Sequence, residues 1–130
     1  MWRLQTIIAE FDAERFESLG PGYVALSLAG EAGELANEIK KLWRSDPRIA
    51  QPEGYAALQG SDREMVANEI ADVVMLSIVL ANHLGIDVEA ELQRKLEVIA
   101  TRVDAGYYGH DARPLERERA PRAVSEHSGQ

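Results

Sequence analysis

Cysteine is absent from this sequence, which rules out disulfides, zinc–thiolate sites and thiol nucleophiles together. Positive charge is scarce as well: fourteen Lys and Arg stand against 22 Asp and Glu, for a net charge of −8. The last eighteen residues hold four arginines and three glutamates, so the first 112 carry ten basic and nineteen acidic groups, a net −9. A body of that charge repels nucleic-acid backbones and anionic membranes, and neither is expected as a partner. A polyanionic small substrate would need a metal ion or local cations. No N-terminal stretch pairs a basic start with an apolar segment, so no signal peptide is expected. The longest apolar run, residues 70–86, contains Asp72, Asn82 and His83 and is short for a membrane span. It reads as a buried helix, and a cytoplasmic protein is the expectation. Glycine-rich phosphate loops, internal repeats and alternating strand patterns are all missing, which leaves an all-α class.

What is present fits one domain. The 130 residues are 45% hydrophobic, enough for a core. Helices are predicted at about 2–18, 23–44, 63–84 and 88–105. The first has Leu4, Ile7, Ile8 and Phe11 as its apolar stripe and breaks at "LGPG" (19–22). The second repeats Leu28, Leu35, Ile39 and Leu42, and the fourth Leu92, Leu96, Ile99 and Val103. Residues 44–62 read as a long loop, a length that is uncommon without a role. Ser61 or Asp62 is expected to cap the third helix, with Ser61 and Glu64 as a capping box. Gly85 is expected to stop that helix, and Asp87 to start the next. Residues 1–106 are read as the domain and 107–130 as a mobile polar tail.

Glu31, Glu34 and Glu38 stand at helical spacing in "LAGEAGELANEIKK" (28–41). On a helical wheel Glu38 and Glu34 lie roughly 20° and 60° to one side of Glu31, and the leucine stripe begins about 20° to the other. The acids therefore border the core stripe, where a solvated face would lie opposite it. The third helix is sharper. Glu69 and Asp72, three apart, open a run that is apolar on nearly all sides, which predicts burial all round and a partner chain on the outer side. If the two helices pack antiparallel, four or five carboxylates face one another. They repel and protonate unless a cation lies between them, and an all-oxygen set suits Mg²⁺ or Mn²⁺. Taken singly, each acidic pair is common on solvated helices or in ion pairs; the two together favour a metal site. A di-iron bundle would need Glu three residues before a His. The residues three before His83, His110 and His127 are Leu80, Tyr107 and Val124, so that alternative fails. Trp43, ending the second helix, reads either as a core or dimer-interface tryptophan or as a ring that stacks on a base at the mouth of a carboxylate cleft.

These stretches, with "NEIADVVMLSIVLANHLGID" (68–87), resemble the MazG-like, all-α nucleoside triphosphate pyrophosphohydrolases over about residues 22–105. Their signature is E-x-x-E on one helix and E-x-x-D on the next long one. The resemblance implies a four-to-five-helix bundle assembled as a homodimer or homotetramer. It implies cleavage of a nucleoside triphosphate, a dNTP above all and canonical or not, to the monophosphate and pyrophosphate. It also implies Mg²⁺, or Mn²⁺, on Glu31, Glu34, Glu69 and Asp72, with Glu34 and Glu38 acting on the attacking water or Glu38 on a second ion. Two departures stand out. Many members open the first motif with two adjacent glutamates, where this chain has Gly30 before Glu31. Many carry Lys and, four residues later, Arg on the last helix; here Arg102 is preceded at that distance by Val98, and Lys95 lies nearly a turn earlier. Lys95 and Arg102 are the candidate phosphate ligands, the other reading being cations that the helix dipole favours in the C-terminal half. The alternative is a non-catalytic helical dimerisation or adaptor module that keeps the scaffold.

Overall fold

The computed structural model describes residues 2–17 and 19–109. Among these it is all-helical: α1 (Arg3–Arg15), α2 (Pro21–Ser45), α3 (Gly60–His83) and α4 (Val88–Asp104). The chain divides into two compact units, residues 1–91 and 92–130. Residues 110–130 of the expected tail, and the Ser18 end expected for the first helix, lie outside the described residues.

The ends of the helices follow local chemistry, not always as predicted. α2 starts two residues earlier than Tyr23 because Pro21 occupies its first turn behind an extended Gly20. Proline has no N–H to lose there, and its fixed φ suits the helix. α3 starts at Gly60, behind Gln59, and no side chain caps it, so the Ser61–Glu64 box does not form. At its other end Gly85 adopts φ 66°. Its N–H donates to Asn82 O (3.2 Å) and that of Ile86 to Ala81 O (2.9 Å), the doubly bonded glycine stop expected there. Asp87 Oδ1 accepts from Ala90 N at 3.2 Å and caps α4, which holds its carboxyl below the usual aspartate value.

The 44–62 loop is shorter and more ordered than its composition suggests. It folds into two 3₁₀ turns, Pro47–Ala50 and Gly54–Ala56. Asp46 nucleates the first, accepting from Arg48 N (3.0 Å) and pairing with its guanidinium at 2.6 Å. Gly54 closes the loop: a Cβ there would stand 2.6 Å from Ile49 O and 2.8 Å from Arg48 O.

In the first unit α2 lies along α3, and α1 packs on α3. Val24 and Ser27 share a cavity with Met75 and Val79, while Glu31 meets Asp72 and Glu69. Numbers rise on one helix as they fall on the other, so the pair is antiparallel. Val24, Val66, Ile78, Val79 and Ala81 form the buried core. One expectation needs correction. On α1, Leu4, Ile7 and Phe11 are exposed, and the fully buried residue is Gln5. Its amide donates to Asn82 Oδ1 (2.9 Å) and Ile86 O (2.7 Å) and accepts from Val88 N (3.0 Å), while Asn82 Nδ2 donates to Gln5 O at 3.3 Å. That amide ties α1 to the α3–α4 turn, a task an apolar stripe cannot perform. On α3, Met65, Ile70, Val74 and Met75 are exposed within the single chain, which leaves the apolar surface that a partner chain is expected to cover. Among the described residues no single helix is long and apolar enough to cross a membrane. In the second unit the Arg102 guanidinium lies 5.6 Å from the centre of the Tyr107 ring.

Candidate metal centre

Because α2 and α3 are antiparallel, their acidic faces meet midway. Glu31 from α2 and Glu69 and Asp72 from α3 each direct a carboxylate oxygen to one spot, the three atoms lying within 4.8 Å of one another. All three residues are half-buried. Glu69 Oε2 is buried and has no hydrogen-bond partner. An orphaned anionic oxygen of this kind is costly unless a cation or donor meets it. The Glu31 carboxyl is held above the usual glutamate value, first by its partial withdrawal from water and then by the charges of Glu34, Asp72 and Glu69. A hydrogen bond with Glu34 adds to that shift. Three converging carboxylates, one with a free buried oxygen, fit a hard divalent cation such as Mg²⁺ or Mn²⁺.

The remaining predicted residues are not members of this trio. Glu34, one turn along α2, is exposed and reaches Glu31 from outside the cluster. Glu38 is taken up by Lys41, whose Nζ donates to Oε1 at 2.7 Å. Trp43 is 55% exposed. It follows Glu31 by twelve residues, about 18 Å along the axis. Lys95 and Arg102 are exposed on α4 in the second unit. At Gly30 an added side chain would meet nothing within 4 Å, so the departure from a glutamate pair is not forced by packing. Sequence reasoning missed Gln5, because nothing in a polar residue's spacing tells a buried clamp from a surface amide. It also missed Asp12, which pairs with His83 across α1 and α3 at 3.5 Å.

The helical hairpin and its carboxylate centre define an all-α protein with a candidate metal site. The chain belongs to the MazG-like family, whose model matches residues 34–106. Glu34, Glu38, Glu69 and Asp72 fall inside that match and Glu31 just before it. The chain is also similar to the Gene 37 protein of Mycobacterium phage L5, 34% identical over 95 residues, 73% of this chain and 75% of that one. No solved structure matches it.

Proposed function

We propose that the protein is a metal-dependent nucleoside triphosphate pyrophosphohydrolase, acting on a deoxynucleoside triphosphate, canonical or damaged. The family suggests a nucleotide pyrophosphohydrolase type of function. The observation that carries the reading here is the convergence of Glu31, Glu69 and Asp72 around an orphaned Glu69 oxygen. A non-catalytic scaffold would gain by losing that oxygen.

The roles follow from position. Glu31, Glu69 and Asp72 hold the ion, and Glu34 stands beside them with a carboxylate open to solvent. Mg²⁺ or Mn²⁺, when bound, supplies positive charge to the phosphate oxygens and acidifies water in its reach. Glu34 accepts a proton from the attacking water, and Glu38, held by Lys41, is the reserve acid of the same face. Water adds to the α-phosphorus, the bond to the bridging oxygen breaks, and pyrophosphate leaves with the monophosphate as the second product. Lys95 and Arg102 remain the proposed phosphate contacts, and a homodimer or homotetramer the proposed assembly. Incubation with each canonical dNTP and NTP plus Mg²⁺, with products resolved, tests the reading. Monophosphate and pyrophosphate in equal amounts are expected from at least one. Their absence from all of them and from a set of damaged nucleotides sinks it.

A further inference from the structure

A cavity of about 350 Å³ opens beside the carboxylates, between α1, the start of α2 and the C-terminal half of α3. Its floor is Val24, Leu76 and Val79, and Phe11, Phe16 and Tyr23 form its walls. Ser27 lies one turn from Glu31, and Met75 and Leu76 one turn from Asp72, so the cavity and the carboxylates follow one another along the α2–α3 pair. Val79 is seven residues beyond Asp72, about 10 Å along α3. That is the reach from a nucleotide's α-phosphate across its sugar to its base. Cavities of this size, apolar with a few polar groups, hold small organic ligands. Flat aromatic walls suit a flat ring.

On the nucleotide reading of the carboxylates, we propose that this cavity receives the base, and that Asp12 and His83 select a base bearing an exocyclic amino group. Asp12 Oδ2 and His83 Nε2 lie 3.5 Å apart at the cavity wall, one from α1 and one from α3. Both side chains are largely covered, at 32% and 18% exposure. Side chains on a helix lean toward its N-terminus, so His83 leans back toward Val79 and the floor. A carboxylate only accepts hydrogen bonds, and Glu17 adds a second one to the lining. Cytosine, adenine and guanine present an amino group to such an edge. Thymine and uracil present carbonyl oxygens, which a carboxylate repels. The imidazole beside Asp12 supplies the one ring donor, matching the acceptor ring nitrogen next to the amino group in cytosine and adenine; guanine carries a hydrogen on its N1 and is not matched there.

Nucleosides carry no phosphate, so they read the cavity apart from hydrolysis. Titrating isotope-labelled protein with deoxycytidine, deoxyadenosine and thymidine is expected to shift the Asp12 and His83 signals with the first two, at affinities at least several-fold above thymidine. In turnover, kcat/KM for dCTP or dATP relative to dTTP is expected to exceed one and to fall about tenfold in Asp12→Asn, the discrimination one base-edge contact provides. His83→Gln serves as the second variant, and melting curves establish that each is folded. Equal binding of thymidine, or a ratio that moves less than twofold in both folded variants, overturns the proposal. Nucleoside binding with the expected preference but no pyrophosphate from any triphosphate supports the pocket and overturns the hydrolase reading instead.

Discussion

Among the described residues Glu69 Oε2 is a buried carboxylate oxygen without a hydrogen-bond partner. If a cation meets it, millimolar Mg²⁺ or Mn²⁺ raises the melting temperature of the native protein, and the rise disappears in Asp72→Asn. Turnover by Asp72→Asn or Glu69→Gln should fall about 100-fold or more, as when a group that meets transition-state charge is removed. Glu31 gives a separate handle through pH. Its folded carboxyl titrates above the unfolded one. Below the ordinary glutamate range both states are protonated and no penalty arises. Between the unfolded and the raised folded value the folded state keeps a proton that the unfolded state has lost, so stability falls as pH rises and stays lowered once the pH has passed the folded value. In EDTA, Glu31→Gln should therefore melt above the native protein at neutral pH, and the difference should close on acidification. A melting temperature that is unchanged or lower at neutral pH contradicts the crowding of charge at this site. Metal affinity should weaken over the same acid range, since the ligands must be deprotonated.

Helices are where the sequence was most legible and also where its limits show. Four segments of periodic apolar residues became four helices, and Gly85 and Asp87 marked a stop and a start that local backbone chemistry enforces. Glu69-x-x-Asp72 was readable because a carboxylate inside an apolar run has no ordinary explanation. Its meeting with Glu31 followed from the antiparallel packing of the two longest helices, joined by the loop of two 3₁₀ turns. Gln5 and Asp12 were not legible, since their partners lie some seventy residues away and only packing brings them together. The Ser61–Glu64 pattern misled because α3 begins a residue before it, at a glycine with positive φ. Gln5 now carries a prediction at this scale. Gln5→Leu fills the space but strands Asn82 Oδ1, Ile86 O and Val88 N, and should cost about 2–3 kcal/mol in denaturant unfolding. Gly85→Ala, at φ 66°, should cost about 1 kcal/mol in the same measurement.

Taken as a whole, the chain keeps little of its apolar surface to itself. Among the described residues five hydrophobic ones are buried, while Ile70 and Val74 on α3 stay 47% and 42% exposed. Contiguous apolar surface of this kind marks an interface. Light scattering at micromolar concentration should give a dimer or tetramer, and Ile70→Glu or Val74→Asp should shift it toward the monomer; a monomeric native protein contradicts this. The carboxylate trio, by contrast, is assembled within one chain, so its chemistry can be asked of whatever assembly forms. Product analysis asks it most directly. With Mg²⁺ and a panel of nucleoside triphosphates, the account predicts monophosphate and pyrophosphate in equal amounts, lost in EDTA and in Asp72→Asn. Orthophosphate with a diphosphate, or turnover that survives in Asp72→Asn, would contradict it.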